Sequence, residues 1–366
     1  MRRKKLFLSV FIWYLLNKCL SLHHHNSKTR VFMNKIDIIS GLHLYNGDSL
    51  ELYQLWDKPT VIMADGPYGV NGFRGDLKTP VGLAEWYEPH VAEWSKKATP
   101  QTTLWFWNTE IGWAIVHPIL EKYGWEYKTC NVWDKGMSHV AGNTNTKTLS
   151  HLPVVSEVCV QYVKKASFDW NGEKVSMKDW LRLEWERTGM PFSKTNEACH
   201  VVNAATRKYF TKCHLWYMPP ADMFEKIVAY ANEHGKEEGK PYFSINGKTP
   251  MTKEEWEHMK PKFNCPFGVT NVWTTAQLRN SERIKKGLKA VHLNQKPLEL
   301  IGRIIEMSSD KNDVVWDPFG GLFTTAVACY NLQRSCFTSE ITPKVFEEGK
   351  KRVELLVSQQ QLQFAN

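Results

Sequence analysis

The sequence predicts an α/β protein whose sheet is covered by helices on both faces, and three observations predict it. Residues 61–64 and 102–107 are short, nearly unbroken apolar runs, the length and character of strands buried on both sides. Between such runs lie segments with helical spacing, so strand and helix alternate along much of the chain. Two of the strand-like runs also end in residues able to do chemistry: Asp65-Gly66-Pro67-Tyr68 closes the first, and a glycine turn follows the run that opens at Asp313.

Taken in order, residues 42–46 read as a strand ending in Gly47-Asp48, with Asp48 placed either to cap the helix-like stretch 49–56 or to meet a ligand. After the strand 61–64 comes a glycine-rich loop, residues 69–76. Its Phe73 and Arg74 are candidates to stack on a base or hold a phosphate. A helix over 84–98, a strand over 102–107, a helix over 112–123 and a strand over 125–133 follow, then a loop rich in glycine and asparagine over 135–146 and a strand over 154–164. The alternation then stops. From 168 to 267 the pattern is helical, with helices expected at 176–187, 195–210, 220–233 and 252–260. Residues 181–211 have the rhythm of a helix-turn-helix, with Asn203, Thr206, Arg207 and Lys208 available to a major groove. Strand and helix return with a helix over 297–308 begun by Pro297, the glycine-turn unit from Asp313, and a strand over 335–339 closed by Glu340.

The formal charge of +9 invites a nucleic-acid reading, yet seven basic residues and no acid fall within residues 1–33, which leaves +2 for the rest. Phosphate contacts must then come from local clusters. Candidates are Arg207, Lys208 and Lys212, and the group Arg279, Arg283, Lys285, Lys286 and Lys289. The eight cysteines are scattered singly, which fits a reducing cytoplasm, and no metal site is expected because no paired-ligand spacing occurs. Residues 1–33 mimic a signal peptide, but the apolar run 6–16 is too short to span a bilayer and no small-residue cleavage site follows. They are expected to be an extension outside a fold that begins near Asn34.

An exocyclic base amine is a weak nucleophile because its lone pair is delocalised, so a catalyst must accept hydrogen bonds from both of its N–H groups. Asp65 supplies one acceptor. The Gly66 carbonyl, aimed by the restriction that Pro67 places on its predecessor, supplies a second. Tyr68 offers a ring on which an extruded base would stack. Alone, Asp-Gly-Pro at a strand end is ordinarily a turn. The second motif, Asp313-Val-Val-Trp-Asp317-Pro318-Phe319-Gly320-Gly321-Leu-Phe-Thr324-Thr325, is a strand, a glycine turn and a helix start of the kind that lets backbone approach a nucleotide.

With Asn294-Gln295-Lys296-Pro297 before that motif and Glu340 after it, the chain resembles the DNA amino-methyltransferases that use S-adenosylmethionine on adenine N6 or cytosine N4, in the motif order of the beta type. The resemblance covers about residues 34–357 and is weakest in the middle third. It implies a Rossmann-like methyltransferase sheet with a mainly helical target-recognition insert. It implies catalysis by Asp65, Gly66, Pro67 and Tyr68. For the cofactor it implies Asp48 at the adenine, Asn294, Gln295 and Lys296 at the methionine end, the turn residues Asp317, Pro318, Phe319, Gly320, Gly321 and Thr324, and Glu340 on the ribose hydroxyls. The partner it implies is double-stranded DNA, and it makes a paired restriction endonuclease plausible. The expected organisation is an extension (1–33), a catalytic half (34–165), the insert (166–270), a cofactor half (271–357) and a tail (358–366). Two departures stand out: Gly66 where many relatives carry proline, and Gly321-Leu322-Phe323 in place of a small Gly-Ser-Gly stretch. Asp at the first tetrapeptide position favours adenine over cytosine.

Other classes fit less well. No Lys-Ser or Lys-Thr follows the glycines to meet phosphates, and the three-glycine spacing of a dehydrogenase is missing. Related methyltransferases of RNA or protein usually carry asparagine where this chain has Asp65. A DNA-binding protein on a dead scaffold is opposed by the intact Asp65, Pro67 and Tyr68.

Overall fold

The computed structural model describes residues 35–71, 76–137, 140, 147–236, 239–278, 283–286, 289–290 and 295–364. Two residues with positive φ, Ser40 and Gly41, turn β1 (Lys35–Ile39) back onto β2 (Leu42–Asn46) as an antiparallel hairpin. The chain then alternates through a short helix α1 (Ser49–Leu52), β3 (Val61–Ala64), α2 (Leu83–Lys97), β4 (Thr103–Asn108), α3 (Glu110–Lys122), β5 (Trp125–Asp134) and β6 (Ser156–Lys164). After the insert come the two-residue strand β9 (Val272–Trp273), α9 (Leu298–Ser308), β12 (Val314–Asp317), α10 (Thr324–Leu332), β13 (Ser335–Glu340) and α11 (Pro343–Phe364).

These strands form one nine-stranded sheet in the order β1-β2-β13-β12-β3-β4-β6-β5-β9. Its middle, β2-β13-β12-β3-β4, is parallel, and β6 runs antiparallel between β4 and β5. Side chains alternate as the pleat requires. Val61, Met63, Trp105 and Trp107 face a core closed by Ile301, Ile304, Ala326 and Phe346, while Ile62, Ala64, Leu104 and Phe106 face one closed by Tyr87, Val91, Trp94 and Leu120. The sequence therefore reads as unbroken apolar runs because both faces are covered. Progression is rightward from β3 to β4 and leftward from β12 to β13, so the strand order reverses between β3 and β12. Ligands of open α/β sheets bind in the crevice that such a reversal opens at the carboxyl ends of the strands.

The insert builds a separate core. Asn171 and Gly172, both at positive φ, turn the hairpin β7 (Ser167–Trp170) and β8 (Glu173–Ser176). There follow α4 (Met177–Arg187), α5 (Lys194–Ala198), α6 (Ala204–Tyr209), α7 (Ala221–His234) and α8 (Lys253–Glu257). Trp180, Trp185, Phe224, Phe243 and Trp256 fill its centre, and Glu184, fully buried, is held there by Arg187 at 2.7 Å and the Phe243 amide at 2.9 Å. The single helix expected over 195–210 is two. The chain breaks at His200, whose φ is +54°, and the Asn196 side chain accepts from the Thr206 amide across the break. A second small hairpin, β10 (Lys285–Lys286) with β11 (Lys289–Ala290), precedes α9. Among the described residues no helix is long and apolar enough to cross a membrane, and no cluster of side chains is suited to a metal ion.

Candidate active site

Because β3 and β12 are neighbours, the residues that follow them, Asp65 and the Asp317 turn, stand on either side of the reversal point. Asp65 is not alone there. The Lys296 ammonium lies 2.8 Å and 2.9 Å from its two carboxylate oxygens, 3.1 Å from the Tyr68 hydroxyl and 3.4 Å from Glu157 Oε2. The Tyr68 hydroxyl, with one proton to donate, lies 2.9 Å from Asp65 Oδ1 and 3.1 Å from Glu157. Lys135, which follows β5, donates to the other Glu157 oxygen at 3.0 Å. Two carboxylates and two ammonium groups thus alternate in a half-dry corner. Burial opposes the Lys296 charge, but Asp65 and Glu157 outweigh it and hold its pKa above the ordinary lysine value. Burial alone would raise Glu157; Lys296 and Lys135 instead pull it down to about 2. Burial, reinforced by both carboxylates, keeps the proton on Tyr68.

The tetrapeptide backbone is pinned from three sides. The Pro67 carbonyl accepts from Tyr87 Oη and from Asn108 Nδ2, each at 3.0 Å. The Asp76 carboxylate collects the amides of Tyr68, Gly69 and Val70 at 2.8–3.1 Å and ties down the start of the loop. At Gly66 the packing explains the departure from proline. A Cβ there would sit 2.6 Å from Tyr87 Oη and 2.9 Å from the Phe319 ring, well inside contact distance.

A cavity of about 820 Å³ opens at these strand ends, lined by Asp48, Asp65, Gly66, Pro67, Tyr68, Gln295, Lys296, Asp317, Pro318, Phe319, Gly320, Gly321, Thr324 and Glu340. The structure brings together nearly the whole set that the resemblance assigned to catalysis and cofactor. Asp48 caps α1 through the Leu50 amide at 2.9 Å and also lines the cavity. The ring of Phe319 stands among Trp86 and His90, with centroids at 5.5 Å and 5.2 Å, making one aromatic wall. Burial lifts Asp317 to about 7, and it also lifts Glu340, whose Oε1 accepts from the Thr342 amide at 2.6 Å. The turn closes without its small residues because Gly320 sits against Thr338, where a side chain has no room, and Phe323 adopts φ +58° to bury its ring against Phe346. Lys296, expected at the methionine end of a cofactor, lines this cavity with its ammonium on Asp65 and Glu157.

Asn203, Arg207 and Lys208 are exposed on and beside α6. Thr206, expected to face a groove, bonds inward to the Phe192 carbonyl at 2.9 Å and to Asn196. Arg283 donates to the Leu278 carbonyl at 3.1 Å, and Lys285 contributes backbone to the β10–β11 hairpin. Phe73, Arg74, Asn294 and the extension 1–33 lie outside the described residues, as do Arg279 and most of the loop expected at 135–146. Sequence reasoning missed Glu157, Lys135, Asp76 and Asn108. A polar residue in an apolar strand pattern was the available signal for Glu157 and Asn108.

A model of the DNA methylase family, the N6/N4 methyltransferases, matches residues 60–351. Among curated relatives, the type II methyltransferase M.BglII of Bacillus subtilis is 23% identical over 335 residues, 89% of this chain and 70% of its own. M.HinfI of Haemophilus influenzae is 39% identical over 85 residues, and M1.MboII of Moraxella bovis 42% over 65. The latter two alignments cover about a quarter of each relative's length, 23% and 25%, and 23% and 18% of this chain. Of solved structures, the M1.HpyAVI–SAM complex matches at 18% identity and TM-score 0.43, covering 84% of this chain and 98% of that one. The cytosine-N4-specific PvuII DNA methyltransferase matches at 12% and 0.48, covering 86% and 91%. On the family match, which spans most of its length, the chain belongs to the DNA methylase family of N6/N4 methyltransferases.

Proposed function

We propose that the protein is a site-specific DNA methyltransferase that moves a methyl group from S-adenosylmethionine to the N6 amine of an adenine flipped out of duplex DNA, working in the cytoplasm alongside a restriction endonuclease. The observation that carries this reading is the placement of two acceptors, the Asp65 carboxylate and the Gly66 carbonyl, on the same cavity as Asp317 and Glu340. The donor set suits the cofactor: a buried carboxylate, Asp317, and a half-buried one, Glu340, both disfavoured as anions by their surroundings, face a space with an aromatic wall. A ligand bearing a cation, a diol and a purine answers all three features. When bound, S-adenosylmethionine supplies an electrophilic methyl group on a sulfonium.

The chain's own part is positioning. Asp65 and Gly66 accept the two N–H groups of the target amine, which turns its nitrogen lone pair out of the ring plane and towards the donor side of the cavity. Tyr68 supports the extruded base with its ring while its hydroxyl stays on the carboxylate pair. Glu340 receives the ribose hydroxyls, and Phe319 with Trp86 flanks the purine. The insert, residues 166–270 with its own core, is assigned to target recognition, with Asn203, Arg207 and Lys208 on its exposed surface and Arg283 and Lys285 as further phosphate contacts. The aspartate at the head of the tetrapeptide supports adenine over cytosine, and the type II names of the relatives support the restriction-modification setting.

Purified protein incubated with labelled S-adenosylmethionine and mixed-sequence duplex DNA, followed by nucleoside mass spectrometry, tests the reading. N6-methyldeoxyadenosine is expected. N4-methyldeoxycytidine would overturn the base assignment, and absence of any methylated nucleoside would overturn the activity.

A further inference from the structure

We propose that Glu157 is a positioning residue for the catalytic carboxylate: it anchors the Lys296 ammonium where that group fixes Asp65, and so aims the acceptor that meets the target amine. The inference rests on the methyltransferase reading and goes past it, since neither the tetrapeptide nor the cofactor turn contains Glu157.

The geometry is specific. Glu157 comes from the second position of β6, the antiparallel strand beyond β4, and reaches the site only because β6 lies two strands from β3. One of its oxygens faces Lys296 at 3.4 Å and Tyr68 at 3.1 Å, and the other is held by Lys135 at 3.0 Å. An ammonium has three donors. Lys296 directs two at the Asp65 oxygens, which leaves Tyr68 and Glu157 to fix the remaining direction. Lys296 is 6% exposed, so no solvent supplies that third partner freely. Charge makes the same point. Asp65, Glu157, Lys296 and Lys135 sum to zero; without Glu157 the corner carries a surplus positive charge beside a nitrogen that becomes cationic as it is methylated, and such a surplus opposes the transition state.

The test compares Glu157→Gln, Glu157→Asp, Lys296→Met and the double variant Glu157→Gln/Lys296→Met with the wild type. Readouts are single-turnover methyl transfer to duplex DNA, calorimetric affinity for S-adenosylmethionine, and thermal melting. Glu157→Gln, which keeps the shape, should slow transfer by roughly 10- to 100-fold while cofactor affinity stays within about twofold and melting stays near wild type. Glu157→Asp should recover part of the rate. Because Glu157 acts through Lys296, the double variant should transfer no more slowly than Lys296→Met alone. Transfer at the wild-type rate by Glu157→Gln, losses that multiply in the double variant, or a loss confined to cofactor affinity or melting would each overturn the proposal. Should Lys296→Met not fold, the Gln and Asp variants decide the matter by themselves. A wild type that transfers nothing to DNA would instead bring down the methyltransferase reading, and the inference with it.

Discussion

Adding one methyl group at Gly66 is the sharpest probe of how the catalytic turn and the proposed cofactor wall are packed together. The new Cβ in Gly66→Ala would lie 2.6 Å from Tyr87 Oη and 2.9 Å from two carbons of the Phe319 ring. Ordinary contact needs about 3.5 Å, so both neighbours must retreat by roughly half to one ångström. Tyr87 cannot do so without straining its 3.0 Å bond to the Pro67 carbonyl, and it is wedged against Phe106 at 5.0 Å. Phe319 is backed by Trp86 and His90, which leaves the cavity as its way out. Overpacking of this kind costs about 1–3 kcal/mol, and loss of the Tyr87 bond adds about 1 kcal/mol. If half of that strain is relieved only by a ring that intrudes on the ligand, affinity for S-adenosylmethionine should fall about tenfold, since 1.4 kcal/mol is a factor of ten. Calorimetry and thermal melting on the purified variant measure both effects. Wild-type melting together with wild-type affinity in Gly66→Ala would refute the packing argument.

Four further outcomes are expected. Asp65→Ala should abolish methyl transfer while cofactor affinity changes only a few-fold, because Glu157 remains to pair Lys296; residual turnover near wild type would remove Asp65 from catalysis. Glu340→Ala should weaken S-adenosylmethionine binding by roughly ten- to a hundredfold for each ribose hydrogen bond lost, as read by calorimetry. Asp317 has a folded-state pKa of about 7, above the ordinary carboxylate value, so its contribution to stability is fully present below about pH 4 and is lost as the pH rises through 7. Ligand-free Asp317→Asn should lack that decline, on the order of a few kcal/mol, when melting is compared with wild type across this range. Arg207→Ala and Lys208→Ala should weaken DNA binding at unchanged cofactor affinity, and if Arg207 reads a guanine edge its loss should relax discrimination at one base pair by about 1–3 kcal/mol in a salt series with mismatched duplexes.

The parallel sheet was legible because burial on both faces writes itself into sequence: Val61-Ile-Met-Ala and the run through Trp105 and Trp107 can be nothing exposed. The cavity residues were legible because they sit next to strand ends and glycines, so local pattern and site coincide. What could not be read arises from distance along the chain. Asp65, Glu157 and Lys296 meet only through the strand order, and no spacing announces a contact between residues 231 apart. For the same reason the contacts of the Tyr68 hydroxyl with Asp65, Glu157 and Lys296 could not be read. Local sequence also misled over 195–210, where helical spacing runs on but a left-handed His200 and the inward bonds of Asn196 and Thr206 divide the segment. The hairpins at Ser40-Gly41 and Asn171-Gly172 were missed because their strands are short and only partly apolar.

The pairing of β3 with β12 also has a consequence for how the chain is made. On the ribosome β4 can join β3 almost at once, but the strand that covers the other edge of β3 emerges about 250 residues later. At a synthesis rate of about 5–20 residues per second, that edge waits roughly 12–50 s for its neighbour. Throughout that interval Val61 to Ala64, apolar on both faces, offers an open set of backbone donors and acceptors to any other nascent strand. Slowing the arrival of the C-terminal third, or severing it, should therefore send the product to aggregates or chaperones before any loss of catalysis could be measured.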